Sequence, residues 1–106
     1  MSSGLSVIAL IRGKGERRSE LLALLRKVET LTQRERGCLS YDLYSDTVNP
    51  DNFYFLGIWE DQSRLDAHNQ TAHVSELREA SSILAYSIEV TRLSAVPQLE
   101  DAKILE

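Results

Sequence analysis

The segment from Phe53 to Glu60, with the sequence FYFLGIWE, constrains the fold more than any other part of the chain. Successive side chains of a strand point to opposite sides, and here both sides are apolar. The two sides are Phe53, Phe55, Gly57 and Trp59, and Tyr54, Leu56 and Ile58. An antiparallel strand in a small monomer usually has one polar side. Because both sides are apolar here, another part of the protein must pack against each of them. We expect helices to cover one side and a second copy of the chain to cover the other.

The residues before this segment predict a strand, a helix and another strand. Leu5–Arg12 is aliphatic and β-branched, which is typical of a strand. Glu16–Glu35 repeats leucine and valine at helical spacing, and Gly37 is expected to end that helix. Cys38–Ser45 alternates and predicts a strand. The alternation places three of its apolar residues on one side: Leu39, Tyr41 and Leu43.

The residues after this segment predict two short helices and a last strand. Asp61 is a suitable cap for a helix from about Ser63 to Asn69. Thr71 is a suitable cap for a second helix, from Ala72 to about Ser82. The segment from Ile83 to Leu93 is rich in residues that favour strands, and it predicts the last strand.

The order of these elements, β-α-β-β-α-β, predicts an α+β fold of the ferredoxin-like, split βαβ type. In that fold the helices pack on one face of a four-stranded antiparallel sheet and leave the other face bare. A bare face that is partly apolar predicts an interface, and a face-to-face homodimer is the simplest closed arrangement. At 106 residues the chain is expected to be one domain, with its core at about residues 5–93 and a tail at 94–106.

The composition argues against several classes of function. The net charge of −4, from 12 basic and 16 acidic residues, does not suit a nucleic-acid partner. No apolar run approaches the roughly 20 residues of a membrane span. Cys38 is the single cysteine, which excludes an internal disulfide and a cysteine-based zinc site. The first residues lack the pattern of a signal peptide, so we expect a cytoplasmic protein.

His68 and His73 are the candidate catalytic residues, because an imidazole titrates near neutral pH and can act as a general base. Five residues of continuous helix turn through about 500°, so the two rings converge only if the helix breaks near Thr71. The alternatives are a partly buried His68 bonded to backbone and a His73 that packs on the sheet. The spacing makes a poor metal site, and no acidic residue at a standard offset completes one, so no metal is expected.

Four aromatic residues are the candidate substrate-binding residues: Trp59, Tyr41, Phe55 and Tyr54. Trp59 could stack on a planar substrate and donate its indole N–H, or it could simply pack in the core. The tyrosines could project hydroxyl groups into a pocket, or they could be core or interface rings. Gly57 inside the strand predicts a bulge or a close approach of other groups to the backbone.

The chain resembles the antibiotic biosynthesis monooxygenase family, in particular its small quinol-monooxygenase-like members. The segments that carry the resemblance are Gly37–Asp42, Ile58–Asp61, Leu65–His68, Thr71–His73 and Val7–Arg12. The resemblance covers about residues 5–93. It implies a dimeric α+β barrel with a pocket between sheet and helices in each subunit. It also implies a small aromatic substrate and O₂, with no metal, flavin or other cofactor.

The resemblance leaves the reaction open among three interpretations. Phe55 stands where anthrone-oxidising relatives have an asparagine, and the first strand lacks the asparagine of haem-degrading relatives. The first interpretation is therefore a monooxygenase for a quinol or another hydroxylated aromatic molecule. The second is an isomerase-like enzyme for a small reactive metabolite, and the third is a non-catalytic ligand-binding or structural dimer. A pocket with polar groups at its centre would favour an enzyme, and a filled pocket would favour the third interpretation.

Overall fold

A computed structural model describes residues 4–98 and contains a four-stranded antiparallel sheet with three α-helices. The strands are β1 (Leu5–Gly13), β2 (Cys38–Ser45), β3 (Asn52–Trp59) and β4 (Ala85–Leu93). The helices are α1 (Arg18–Gln33), α2 (Gln62–Asn69) and α3 (Ala72–Leu84), and a 3₁₀ turn at Gly15–Arg17 precedes α1. The predicted ferredoxin-like α+β fold is confirmed. The predicted tail extends past residue 98, and that part lies outside the described residues.

The sheet has the order β2-β3-β1-β4, so β3 is flanked on both edges by other strands. Its pairing with β1 runs from Leu5 opposite Trp59 to Arg12 opposite Asn52. The helices cover one side of β3, as the sequence predicts. The other side stays partly open in the single chain, with Leu56 and Ile58 40% and 42% exposed.

The core lies between the helices and the covered side of the sheet. Its largest members are Phe53, Phe55 and Trp59, all at most 2% exposed. The apolar face of α1 packs on them, because leucines and valines at helical spacing fall on one side of the helix. Burying one such side chain contributes roughly 1.5–3 kcal/mol before the entropy of ordering it is counted. Among the described helices, none is long and apolar enough to cross a membrane.

The turn between α1 and β2 differs from the prediction. The helix ends at Gln33 rather than Glu35, and Gly37 lies within the turn that follows, at φ 84°. That backbone angle strains residues with a side chain, and a Cβ at this position would collide with the side chain of Arg64. Gly37 O also accepts a hydrogen bond of 2.8 Å from Glu60 N. The glycine therefore lets the turn lie against the end of β3 and the start of α2.

Two irregularities in strand pairing correct the sequence-based assignment of faces. Cys38 pairs with Trp59 and Ser40 with Ile58, so Leu39 is an extra residue at a register shift in β2. Such a shift turns the strand, and Leu39 is 59% exposed while Cys38 packs against the core. The prediction that Leu39 shares a face with Tyr41 and Leu43 was wrong.

The second irregularity lies at the start of β4. The helix α3 continues to Leu84, two residues past the predicted end, and β4 begins at Ala85. A register shift opposite Gly13 follows, and Tyr86 is left 73% exposed. Alternation alone does not reveal either shift, because both depend on how neighbouring strands pair.

Candidate active site

A cavity of about 280 Å³ lies between the sheet and the helices. This volume is close to the lower limit of roughly 300 Å³ for small-molecule pockets, enough for a compact aromatic ligand. Most of the sheet side of its wall is apolar, formed by Val7, Ala9, Tyr41, Phe55, Ile88 and Val90, and Arg92 of β4 is the charged residue there. The helix side mixes apolar and polar groups. The cavity is therefore open to a ligand rather than filled by the core.

The predicted site residues divide between two faces of the sheet. Tyr41, Phe55, Trp59 and His68 belong to the cavity wall. Tyr54 does not, because the alternation of β3 directs it to the opposite face of the sheet. The structure therefore separates Tyr54 from the other predicted site residues.

Trp59 is the most deeply buried of the aromatic residues in the cavity wall. Its ring has no exposed area, whereas Tyr41 and His68 retain 7% and 6%. The Trp59 and His68 ring centroids are 4.7 Å apart, so the indole supports the imidazole. The indole Nε1 is buried and has no hydrogen-bond partner among the described residues. Trp59 thus meets the cavity as a fully buried part of its wall, and its role in binding a substrate stays a prediction.

Gly57 leaves the space in which the rings of Tyr41 and Trp59 lie beside one another. The strand pairing continues through Gly57 without a bulge, with Val7 and Tyr41 as its partners on either side. A Cβ at Gly57 would lie 2.8 Å from Tyr41 Cδ1 and 3.2 Å from Trp59 Nε1. Of the two predicted reasons for this glycine, the close approach is confirmed and the bulge is wrong.

Glu35 joins the two histidines. Its Oε2 lies 2.9 Å from His68 Nδ1 and 2.6 Å from His73 Nε2. A carboxylate only accepts hydrogen bonds, so each of these ring nitrogens is a donor toward ionised Glu35. Nε2 of His68 is then left unprotonated in the neutral ring. His73 is absent from the cavity wall, so it contacts Glu35 and not the space that a ligand would fill.

The histidines converge because the helix breaks where the sequence allows it. The helix α2 ends at Asn69, α3 begins at Ala72, and the rings lie with their centroids 6.1 Å apart. Thr71 holds the break, since its hydroxyl donates to His68 O at 2.8 Å and caps α3 at Val74 N. The condition set by the five-residue spacing is thus met.

Sequence reasoning missed Glu35, because it precedes His68 by 33 residues and His73 by 38. The turn between α1 and β2 carries it, and Glu35 N donates to Thr32 O at 2.9 Å. One signal was available. The start of β2 must pair with the end of β3, which brings this turn next to the start of α2.

Burial and the charge of Glu35 shift the pKa values of three titratable groups of the site: His68, Tyr41 and Cys38. Burial lowers the pKa of His68, and the bonded Glu35 opposes this effect only in part. Neutral imidazole is therefore the favoured form near neutral pH. Burial also raises the pKa of Tyr41, which keeps its phenol protonated. Burial, with the nearby charge of Glu35, raises the pKa of Cys38 to about 11, so its thiol is a poor nucleophile.

The same three residues are the ones that could hold a metal ion. Ligand atoms of Glu35, His68 and His73 all lie within 4.8 Å of one another. The sequence has no acidic residue at a standard offset from the histidines, but the fold brings Glu35 to them from the turn between α1 and β2. Ligand atoms around tetrahedral zinc are separated by roughly 3.3 Å, given bonds of about 2.0–2.1 Å. The observed 2.6 Å and 2.9 Å are hydrogen-bond distances, so a metal would require Glu35 to withdraw.

Comparison with known proteins identifies the family. The family profile described as antibiotic biosynthesis monooxygenase matches residues 4–80, from β1 into α3. This chain belongs to the antibiotic biosynthesis monooxygenase family. The matched part of the chain contains Glu35, Trp59 and both histidines.

Other members of the family and similar structures agree with this result. Rv0793 of Mycobacterium tuberculosis is 30% identical over 99 residues, covering 92% of this chain and 97% of that protein. Its structure superposes with a TM-score of 0.82, covering 90% of this chain and 97% of that one. A crystal structure described as an antibiotic biosynthesis monooxygenase is 34% identical, with a TM-score of 0.82 and coverage of 88% and 99%.

One relative is considerably longer than this member of the antibiotic biosynthesis monooxygenase family. The protein sll1783 of Synechocystis is 32% identical over 81 residues, which cover 76% of this chain. The match covers 55% of sll1783, so this chain spans about half the length of that relative. Family membership supports a monooxygenase-like role, and it leaves the substrate to be inferred from the site.

Proposed function

We propose that this chain is a cofactor-independent monooxygenase that acts on a quinol or another hydroxylated aromatic small molecule. The observation that supports this most is a neutral histidine, His68, bonded to Glu35 in the wall of an apolar cavity. An open cavity with such a group favours an enzyme over a purely structural dimer.

His68 is the proposed general base. Glu35 holds the proton on Nδ1, which leaves the lone pair of Nε2 to accept a phenolic proton from the substrate. The lowered pKa of His68 keeps it unprotonated near neutral pH. When it takes the proton, the carboxylate of Glu35 stabilises the imidazolium, so the pair is suited to this step.

His73 is proposed to position Glu35 rather than to touch substrate. It binds the same carboxylate oxygen at 2.6 Å and does not line the cavity. The substrate ring would lie against Tyr41 and His68, with Trp59 supporting both from behind. Tyr41 itself stacks on Phe55 at a centroid distance of 4.7 Å, which fixes the ring that a ligand would meet.

The proposed reaction balances without a cofactor. Deprotonated quinol gives electrons to O₂, one oxygen atom forms a C–O bond on the ring, and the other leaves as water. The substrate supplies all four electrons, two in becoming a quinone and two in replacing C–H by C–OH. The protein needs only a base, a dry cavity and a fixed substrate orientation.

Oxygen uptake on a panel of substituted hydroquinones tests the proposal. We expect the native protein to consume O₂ with formation of a hydroxyquinone, and His68→Ala to lower turnover by ~10²–10⁴. Glu76→Gln, which alters an exposed carboxylate bound to Lys27, is the control and should retain full turnover. A folded His68→Ala protein with native turnover would overturn the role of the base. If the protein instead exchanges hydrogen between a small metabolite and deuterated solvent without consuming O₂, the isomerase-like alternative is supported.

A further inference from the structure

The cavity has a second polar region that the proposed mechanism does not use. Arg78 of α3 and Arg92 of β4 both belong to the wall, and α2 contributes Gln62, Asp66 and Asn69 beside them. Both arginine side chains are exposed, so they lie where the cavity meets solvent. The cavity thus joins an apolar interior to a rim that carries one arginine from α3 and one from β4.

Among residues 4–98, neither Arg78 nor Arg92 has a carboxylate within 4.0 Å. Arg78 Nη2 donates to the backbone oxygen of Asn69 at 3.2 Å, and Arg92 Nη1 lies 3.5 Å from Gln62 Oε1. Asp66, an acidic residue of the wall, instead accepts from Gln62 Nε2 at 2.8 Å. Both guanidinium groups are therefore oriented by neutral partners and keep donors for a ligand.

Some arginines elsewhere in the structure have the carboxylate partners that Arg78 and Arg92 lack in the described part of the chain. Exposed Arg12 binds Glu89 at 3.1 Å, and half-buried Arg64 lies 3.4 Å from Glu60. A guanidinium that lacks such a partner next to an apolar cavity is suited to a carboxylate on the ligand, because its N–H groups match the two oxygens. Two of them at one rim favour an anionic group over a neutral one.

We propose that Arg78 and Arg92 form an anion-recognition site, and that the ligand of this cavity is a hydroxylated aromatic carboxylic acid. This proposal rests on the proposed function for the role of the hydroxyl group. The ring enters the apolar part of the cavity toward Tyr41 and His68, and the carboxylate remains at the rim.

Binding of 2,5-dihydroxybenzoate and of its methyl ester, measured by calorimetry without oxygen, tests the site. The two probes have the same dihydroxylated ring, and only the acid carries the negative charge of a carboxylate. Trp59, the single tryptophan, lies against His68, so its fluorescence gives a second binding signal. We expect the acid to bind the native protein at least tenfold more tightly than the ester, and less tightly as salt is raised.

Substitution of each arginine tests whether Arg78 and Arg92, rather than other surface arginines, bind the acid. Arg78→Gln and Arg92→Gln are each expected to weaken binding of the acid about tenfold and to leave the ester unchanged. Arg78→Lys, which keeps the charge, should recover part of the loss. Arg12→Gln is the matched control, because Arg12 is exposed, bound to Glu89 and absent from the cavity wall.

Three results would overturn the anion site: equal affinity for acid and ester, no measurable binding of the acid, or loss of ester binding in both glutamine variants. The outcomes also distinguish this site from the proposed function. Oxidation of the ester with no advantage for the acid would leave the monooxygenase and remove the anion site. Tight binding of the acid with no O₂ uptake on any quinol would leave the site and remove the monooxygenase.

Discussion

Replacing Glu35 by glutamine tests the link between the carboxylate and the base. The amide is nearly isosteric, and its oxygen can still accept from His68 and His73, so the geometry is retained while the charge is lost. A hydrogen bond to a charged group contributes about 1.5–3 kcal/mol and a neutral one about 0.5–1.5 kcal/mol. The imidazolium that forms during turnover therefore loses roughly 1–1.5 kcal/mol, which corresponds to a rate about tenfold lower.

The pH dependence of turnover by the Glu35→Gln variant gives a second, independent test of the role of Glu35. Glu35 raises the pKa of His68 against the effect of burial, so its loss lets that pKa fall further. Neutral imidazole is the active form, and turnover declines as pH drops through the pKa of His68. The acid limb of the profile should thus move to lower pH while the plateau falls about tenfold.

The assay is O₂ uptake at saturating quinol across the pH range in which the protein stays folded. The side chains of His68 and Glu35 are at most 15% exposed, so water screens the interaction between their charges only weakly. Glu76→Gln should change neither plateau nor limb. A plateau equal to that of the native protein, or an acid limb that moves upward, would refute the role given to Glu35.

Three further predictions concern packing, metal content and assembly. Gly57→Ala should lower the free energy of unfolding by about 1–3 kcal/mol, measured by denaturant titration, because the added methyl group meets Tyr41 at 2.8 Å; an unchanged midpoint would contradict this. Prolonged chelation should leave turnover unchanged, because Glu35 holds the histidines at hydrogen-bond rather than metal-ligand distances; loss of activity restored by one divalent metal would show otherwise. Sedimentation at micromolar concentration should give the mass of two 12.0 kDa chains, because Leu56 and Ile58 are exposed on the open face; a stable monomer would contradict the homodimer.

The fold could be predicted because its signals are local. The alternation in β3 assigns Trp59 to the covered side and Tyr54 to the open side, as the structure has them. The same alternation places Tyr54 on the face opposite Trp59, so the two residues do not line the same cavity of a single chain. Leu39 could not be placed, because a register shift depends on the partner strand.

The candidate site could be predicted only in part. His68 and its side of the cavity follow from residue type and from the helix break at Thr71. Glu35 becomes part of the site only when the turn after α1 packs against α2, and no spacing in the sequence encodes that contact. The hidden position of Trp59 depends likewise on how Tyr41 and His68 pack over it.

The short helix α2 both closes one side of the cavity and carries His68. The hydrogen bond from His68 to Glu35 therefore fastens α2 to the turn between α1 and β2. A displacement of α2 relative to that turn would break this bond and release the imidazole from its orientation. The same contact that holds one wall of the cavity in place therefore also holds the proposed base in place. A change that loosens α2 should lower turnover even where it leaves every residue of the cavity wall unchanged.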